Sequence, residues 1–453
     1  MTMQGDPIQN SGGASRIALG ELAAFLTENP KVQFLDCVFS DLCGMIRGKR
    51  IARADLESLF TAGIEIPLSI YFLDARGDAA PDPESKSIPA ATGTAWPVAG
   101  TLAKVSWAQH PHGQVLMTMA DTSGAPYFAE PRNVLKRVAA RLALLNIVPA
   151  LGTTLEFYLL ERQDALNGSP AQPAPPKINR RGPSGDEHAG ILLAIAEAAA
   201  ALHLPEIKFV QEEKQTHYKA VLAPDENILR AADRVVFLRQ VIRAVARQSQ
   251  LDATFMAAPF LPLPGSAMKV QLALRDPSAI ANAAEPPTDL VRSAVAGLQA
   301  TMPESVAIMA PNLNAYRRFG HKDGVVCNRR WGVDNATTNI ALKATGTGGQ
   351  VIAHKMASAD ANPYLVFAAI LAGAHHGISE NLSPTMPFGG DASTLNDPTL
   401  PRTIDAALVT FENCSILREY FQGGYVDRYC ATKRTELERF RNFIPAHEYE
   451  WYL

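Results

Sequence analysis

Short apolar segments separated by turn residues make up the first part of the chain. Residues 32–38 are rich in β-branched and aromatic side chains and predict a strand, and residues 45–51 resume the pattern after a break at Gly44. The two segments therefore predict a β-hairpin. Further apolar runs predict strands at residues 104–107 and 115–120. We expect a small β-rich domain here.

Helical periodicity alternates with strand patterns in the rest of the chain. Residues 131–142 begin with Pro131 and keep their apolar side chains on one side, and residues 231–248 form a longer amphipathic pattern. The other patterns predict strands at residues 154–160, 207–210, 269–274 and 350–355, and helices at residues 18–26, 191–202, 363–373 and 403–411. This mixture predicts the α+β class.

The turn at residues 122–124 separates the two kinds of pattern and predicts a domain boundary. We expect residues 18–124 to form one domain and residues 125–453 a larger one. The polar residues 1–17 are expected to be disordered. A chain of 453 residues is long enough for two or three domains, so this division agrees with its length.

Composition narrows the possible partners. The chain has 42 basic and 45 acidic residues, so it lacks the broad basic field that attracts nucleic acid. Its longest apolar run, residues 364–374, is too short to cross a membrane, and residues 1–16 lack the apolar core of a signal peptide. The five cysteines form no Cys-x-x-Cys pair, which favours reduced thiols over disulfides or a zinc site. We expect a cytoplasmic protein without nucleic-acid or membrane partners.

A series of short motifs runs in order from about residue 32 to the C-terminus. They read FSDLCG (39–44), RGK (47–49), EPR (130–132), LEFY (155–158), AAD (231–233), ATFM (253–256), GSAM (265–268), APNLNAY (310–316), WGVDN (331–335) and DANPYL (360–365). Each motif is weak alone, but their order and spacing resemble the glutamine synthetase family, especially its γ-glutamyl-amine ligase branch. The resemblance implies an N-terminal β-grasp domain and a C-terminal catalytic domain with an antiparallel sheet or half-barrel flanked by helices.

The resemblance also implies a reaction and an assembly. In the family, ATP phosphorylates the side chain of glutamate, and ammonia or an amine then attacks the acyl phosphate. Mg²⁺ or Mn²⁺ ions draw charge from the transferring phosphoryl group. The subunits form a double ring, in which each β-grasp domain supplies a loop to the catalytic funnel of a neighbouring subunit.

Six metal ligands are implied by the resemblance, and two of them are retained. Glu156 and Glu213 match ligands of the same metal site. The other four positions hold Thr154, Ala220, Lys269 and Ala353. A charged ammonium cannot ligate a cation, so Lys269 in place of a histidine is expected to disable the second metal site.

The positions that hold nucleotide and glutamate in the family are changed as well. A phosphate-contacting histidine is replaced by Gln271, and a phosphate-binding arginine by Lys355, which keeps the charge but loses the two-pronged geometry. Two further arginines of the family pattern are Ala336 and Ala341 in this chain. Little is therefore left to offset the charge of a triphosphate.

Three residues of the family pattern survive outside the metal site. The resemblance assigns Asp41 to binding the incoming ammonium or amine, and Asn314 with Arg318 to holding glutamate. The flap that carries a catalytic glutamate in the family aligns near Asp323, and the sequence leaves open whether Asp323 takes that role.

Each of these assignments has a structural alternative. Glu156 and Glu213 are either residual metal ligands or partners of Lys269 in a buried ion pair that fills the metal cavity. Asp41 suits an ordinary turn as well as a substrate contact. Arg318 is either an anion-binding group or a solvated cation. His217, together with the tyrosine that follows it, is expected to pack or to line the funnel.

The replacements favour a catalytically inactive homologue, a pseudoenzyme that acts as a structural or regulatory subunit. It would form a homo-oligomer or a mixed oligomer with an active ligase paralogue, and it would need no cofactor. One alternative is an active ATP-dependent glutamate–amine ligase with altered metal ligands, which would need ATP with Mg²⁺ or Mn²⁺. The other is a sensor or binding protein for a small amine or amino acid.

Overall fold

The first of two sheets carries the predicted hairpin. The computed structural model describes residues 12–80, 91–162, 188–212, 216–261, 263–275, 288–319, 327–344 and 349–453. The first sheet contains β1 (Phe34–Ser40), β2 (Ile46–Ala52), β3 (Ile64–Pro67), β4 (Thr92–Pro97), β5 (Ala103–Lys104) and β6 (Gly113–Ala120). Its order is β2-β1-β6-β4-β3, with β5 on β6. The turn between β1 and β2 includes Gly44 at φ +74°, a backbone angle that glycine adopts without strain.

The second sheet is larger and mostly antiparallel. It contains β7 (Val148–Glu161), β8 (Lys208–Gln211), β9 (His217–Asp225), β10 (Leu251–Thr254), β11 (Met268–Arg275), β12 (Trp331–Val333), β13 (Ile340–Ala344) and β14 (Gln350–His354). The order is β12-β13-β14-β11-β7-β9-β8, with β10 on the other end of β7. Only the β12–β13 pair is parallel among these described strands.

Helices cover both sheets. They are α1 (Gly12–Glu28), α2 (Leu56–Ala62), α3 (Pro131–Leu144), α4 (Ala189–Ala200), α5 (Ile228–Gln248), α6 (Asp289–Met309), α7 (Pro363–Ser379), α8 (Ile404–Glu412), α9 (Ile416–Phe421), α10 (Gly423–Arg441) and α11 (Ala446–Tyr452). Three 3₁₀ helices join them, at Arg53–Asp55, Leu68–Phe72 and Leu313–Arg318. No helix in the described ranges has the length and apolar content needed to cross a membrane.

Helix α7 is the centre of the larger domain, and its side chains are buried over most of its length. It packs so closely on α6 that an added Cβ at Gly297 would lie only 2.0 Å from the Gly373 carbonyl oxygen. The helix begins at Pro363, where the Asn362 side chain accepts hydrogen bonds from the backbone of the first turn. The same amide donates to the Asp41 carbonyl oxygen at 2.8 Å, so this cap also ties the β1–β2 turn to the larger domain.

The α+β class predicted from the sequence is confirmed. The strand predicted at residues 104–107 is shorter and lies at Ala103–Lys104. Helix α1 begins at Gly12, so the predicted disorder of residues 1–17 does not hold for residues 12–17, and the first eleven residues lie outside the described ranges. The predicted boundary at residue 124 falls between the two sheets, and the division into two independent units remains a prediction.

Candidate functional site

The register of the second sheet brings most of the predicted metal positions to one face. Side chains alternate between the two faces of a strand, so Thr154 and Glu156 of β7 share a face. Lys269 of β11 lies opposite Thr154, and Lys219 of β9 lies opposite Glu156. We call this surface the polar face; it comprises Thr154, Glu156, Lys219, Lys269, Gln271, Ala341, Ala353 and Lys355.

The other end of the polar face carries the positions that hold nucleotide in the family. Gln271 lies opposite Ala353, which in turn lies opposite Ala341. The Lys355 ammonium donates to the carbonyl oxygens of Asn335 at 3.0 Å and of Ala336 at 2.9 Å. Burial, helped by nearby lysines, lowers the pKa of Lys355 to about 8. Methyl groups and amide carbonyls thus occupy an area where the family pattern has guanidinium groups.

Ala220, predicted as the position of a lost ligand, does not lie on the polar face. Ala220 lies opposite Leu155, is 0% exposed and belongs to the hydrophobic core. Its neighbour Lys219 is the residue that lies on the polar face. A shift of one residue moves a side chain to the opposite face of a strand, so counting along the sequence alone did not fix this position. The alternation of Lys219 with apolar neighbours is the signal that indicates the correct face.

An ion pair between a buried carboxylate and a partly exposed lysine occupies the centre of the polar face. Glu156 is 4% exposed, and one of its carboxylate oxygens lies 2.6 Å from the Lys269 ammonium. The other oxygen accepts the Ala267 N–H at 2.8 Å. The Lys219 ammonium lies 3.9 Å from Glu156 and pairs directly with Glu212. Burial alone would raise the pKa of Glu156, but the ammonium charge and these hydrogen bonds lower it below its ordinary value.

These residues do not fit a Mg²⁺ or Mn²⁺ ion. Hard cations need several oxygen ligands that converge on one point. The described part of the chain contains no cluster of three or more His, Cys, Asp or Glu side chains arranged to hold a metal. The two carboxylates present, Glu156 and Glu212, are both occupied by lysine ammonium groups. The predicted ligand Glu213 and the flap residue Asp323 lie outside the described residues.

Arg318 is a buried guanidinium near this ion pair. It is 3% exposed, and among the described residues it has no hydrogen-bond or ion-pair partner. Burial lowers the pKa of Arg318 to about 10, and the charges of Glu156 and Asp360 offset part of this effect. Because an arginine carries five N–H donors, an unpaired buried guanidinium is costly until an anion accepts from it.

His217 and Tyr158 form the wall beside the ion pair. Their rings stack with centroids 4.1 Å apart. Burial lowers the pKa of His217, which favours the neutral imidazole. Its Nδ1 is buried without a hydrogen-bond partner among the described residues, while Nε2 lies 3.5 Å from the Ser266 hydroxyl. Tyr218, on the other hand, points away from the polar face and contacts His188.

Asp41 and Asn314 do not join this group within one chain. The Asp41 carboxylate accepts from the Met45 backbone at 2.9 Å and from Arg47 at 2.8 Å, which holds the β1–β2 turn. Asp41 is 1% exposed, and burial raises its pKa to about 6. The Asn314 side chain donates to and accepts from the backbone of Ala258, at 2.9 and 2.8 Å. Both residues therefore have structural contacts in this chain.

Comparison with known proteins identifies the family. Residues 128–452 match the family model described as "Glutamine synthetase, catalytic domain". The chain is 31% identical over 445 residues to gamma-glutamylputrescine synthetase PuuA of Escherichia coli (strain K12), covering 96% of this chain and 94% of that protein. It is 28% identical over 376 residues to glutamate–isopropylamine ligase of a Pseudomonas species, covering 79% of this chain and 80% of that protein.

Solved structures agree with the fold. The structure titled "GmaS/ADP complex-Conformation 1" superimposes with a TM-score of 0.79 at 21% sequence identity, covering 95% of this chain and 99% of that one. The ligand-free structure titled "Apo GmaS without ligand" gives the same TM-score and identity, covering 94% and 98%. The resemblance inferred from the motifs is thus confirmed, and the chain belongs to the glutamine synthetase family, in its γ-glutamyl-amine ligase branch.

Proposed function

We propose that this protein is a non-phosphorylating member of its branch, which binds a small carboxylate on the polar face and acts as a binding or regulatory subunit. The observation that carries the proposal is the ion pair between Glu156 and Lys269, at 2.6 Å. It places an ammonium where the family pattern has a metal-binding imidazole. The carboxylate that would ligate the cation is thereby neutralised by the protein itself.

Charge on the polar face supports this proposal. The site has four cationic side chains, Lys219, Lys269, Lys355 and Arg318, and two carboxylates, Glu156 and Glu212, which pair with Lys269 and Lys219. A site with an excess of fixed positive charge attracts an anion without a divalent metal. A single carboxylate suits it best, because the planar guanidinium of Arg318 can donate two parallel hydrogen bonds to one carboxylate.

A triphosphate is a poorer fit to the same surface. In the family's reaction, metal ions bridge the phosphates and offset the developing charge. Within the described residues, the polar face offers neither a ligand cluster for those ions nor the guanidinium groups expected at Ala336 and Ala341. We therefore expect binding of glutamate or a related amino acid to be retained while phosphoryl transfer is lost.

Titration calorimetry tests this proposal directly. Glutamate is expected to bind the purified protein, and Arg318→Gln is expected to weaken it by about tenfold or more, as for a lost charged hydrogen bond. ATP with Mg²⁺ should bind no more tightly than ATP with a chelator. Gamma-glutamylputrescine synthetase of E. coli, assayed in parallel, is the positive control. Metal-dependent ATP binding by this protein would contradict the proposal.

An active ligase is the second candidate function. It is favoured by the 31% identity to gamma-glutamylputrescine synthetase, which extends over 96% of the chain. Phosphate release from ATP, measured with glutamate and a panel of amines, separates the two functions. Turnover that disappears in Glu156→Ala would establish the ligase. Absence of turnover in the wild type, with turnover in the E. coli control, would support the non-phosphorylating role.

The proposed role requires an assembly that presents the funnel and the β1–β2 turn to each other. We propose a ring-shaped homo-oligomer, or a mixed ring with an active paralogue, because Asp41 in the turn matches the loop that the family donates to a neighbouring subunit. Mass photometry of the purified protein and co-purification from its native host measure this. A monomer in both preparations would contradict the assembly.

A further inference from the structure

A second cationic site lies away from the polar face. An open cavity of about 960 Å³ lies between the β1–β2 turn and the larger domain. Its walls come from residues 43–45, residues 74–76, α5, residues 256–261, the 3₁₀ helix Leu313–Arg318 and α10. None of Glu156, Lys269 and Arg318 lines it. The cavity is therefore independent of the proposed function at the polar face.

Basic side chains outnumber carboxylates in this cavity. The basic residues are Arg76, Arg239, Arg243, Arg317, Lys433 and Arg439, and the acidic residues are Asp74, Asp360 and Glu436. Two of the cations are already paired, since Arg439 contacts Asp74 and Lys433 lies 3.1 Å from Glu436. The third carboxylate, Asp360, accepts hydrogen bonds from the side chains of Ser358 and Asn312.

Four arginines remain without a carboxylate partner within the described ranges: Arg76, Arg239, Arg243 and Arg317. Arg239 is the most buried, at 4% exposed. One of its terminal nitrogens donates to the Ala361 carbonyl oxygen at 2.6 Å, but its buried Nε has no partner among the described residues. Burial and the neighbouring Arg243, one helical turn away, lower the pKa of Arg239 to about 9. Two like charges at this spacing repel each other until an anion is bound.

The rest of the wall is apolar. Met256, Phe260 and Leu437 line the cavity, and Phe440 and Phe443 of the α10 end lie at it while remaining 60% and 71% exposed. Arg243 also packs against the Phe255 ring, 5.0 Å from its centroid. A ligand that fills this volume therefore meets charge on one side and hydrocarbon on the other.

We infer that this cavity binds an organic anion with at least two negative charges on an apolar body, held by the guanidinium groups of Arg239, Arg243 and Arg317. Two clustered oxyanions, as in a phosphate ester or an aromatic dicarboxylate, match the planar donors of these groups. The apolar body covers the hydrophobic wall, including the exposed phenylalanines.

Such a ligand also contacts chain segments that adjoin Asp41 and Arg318. Residues 43–45 follow Asp41 in the β1–β2 turn, and the 3₁₀ helix presents Arg317 to the cavity and Arg318 toward Glu156. A bound dianion therefore holds the turn and the 3₁₀ helix together.

Calorimetric titration with two probes tests the inference and separates the two chemical sources. The probes are adenosine 5′-monophosphate and benzene-1,3-dicarboxylate, with adenosine and benzene as their uncharged counterparts. We expect at least one dianion to bind at least tenfold more tightly than its uncharged counterpart. Arg243→Gln and Arg317→Gln should each weaken it at least tenfold. The matched control is Arg247→Gln on the same helix, because Arg247 is exposed and does not line the cavity.

The probe that binds more tightly indicates whether the natural ligand is a phosphate ester or a dicarboxylate. Absence of binding by both probes at millimolar concentration would overturn the inference. Equal binding by Arg243→Gln, Arg317→Gln and Arg247→Gln would overturn it too, as would a loss confined to Arg318→Gln, which would place the ligand at the polar face. Affinity that falls as protein concentration rises would show that a second copy of the chain fills the cavity instead.

Discussion

The polar face and the cavity beside α5 both contain several cationic side chains, but these cations differ in whether a carboxylate pairs with them. On the polar face, Lys269 and Lys219 are neutralised by Glu156 and Glu212 at contact distance. In the cavity, no described carboxylate pairs with Arg239 or with the three other unpaired arginines. Charge that is paired internally stabilises one arrangement of the protein, whereas unpaired charge favours binding of an external anion. Pairing, rather than the number of cations, therefore separates charge that stabilises the fold, as at Lys269 and Lys219, from charge that is available to a ligand, as at Arg318 and the cavity arginines.

The largest expected effect breaks the pair on the polar face. Lys269→Met leaves the carboxylate of Glu156 buried without its main counter-ion. We expect a loss of about 2 to 3 kcal/mol in the free energy of unfolding, less than for a fully buried pair because the Lys269 side chain is 36% exposed. Urea denaturation measures it. The double variant Glu156→Gln, Lys269→Met removes both charges and is expected to recover most of the loss. A single variant as stable as the wild type would contradict the buried-pair description.

The second largest loss of stability is expected where Asn314 holds the loop at residues 256–261. Asn314→Ala removes both hydrogen bonds to the Ala258 backbone and leaves that N–H and C=O without these partners, so we expect a loss of about 2 kcal/mol. Residues 256–261 line the cavity, so dianion affinity should fall as well. Asn314→Asp keeps the acceptor and is expected to lose less. Unchanged stability in Asn314→Ala would show that the loop is held by other contacts.

Acid denaturation tests the pairing of Glu156 through a smaller expected change in stability. Its pKa is lowered in the folded state, so the folded protein releases this proton more readily than the unfolded chain does. The resulting stabilisation is complete above the unfolded pKa of about 4.3 and is lost as pH falls through the folded pKa. The free energy of unfolding should therefore decline more steeply below about pH 4.3 in the wild type than in the double variant. Parallel curves would contradict this assignment.

The smallest expected effect belongs to the cavity. Arg243→Gln removes a cation that has no carboxylate partner in the described ranges, so we expect a change in stability below about 1 kcal/mol. Thermal denaturation beside Arg247→Gln measures it. A loss as large as that of Lys269→Met would show that Arg243 is a structural group, and the contrast between the two regions would disappear.

The sequence alone predicted a large part of the fold. The β1–β2 hairpin, the long helix α5 and the strands β7 and β11 were predicted from the spacing of apolar residues. That spacing matches the repeat of a helix or a strand. The ordered motifs led to the family, since their spacing reflects one chain topology. The sequence also predicted that Lys269 replaces a metal-binding histidine, because the adjacent motifs specify a residue type at that position.

Other features of the site depend on side-chain contacts that a linear pattern does not contain. Counting placed a lost ligand at Ala220, but the strand register places Lys219 on the polar face, because pairing with β7 decides which side chains share a surface. Glu212 enters the site only through its contact with Lys219. Asn314 was predicted to contact substrate, and in this chain its side-chain amide forms two hydrogen bonds with the backbone of Ala258.

The sequence by itself determined the class and the family, and it predicted the loss of most metal and phosphate ligands, because residue type and order are local properties of the chain. Only the tertiary structure decided that Lys269 is paired with Glu156, that Arg318 is buried without a partner in the described part of the chain, and that four arginines from distant segments share one cavity. Electrostatic energy depends on distance and burial, and both are set when remote segments pack together.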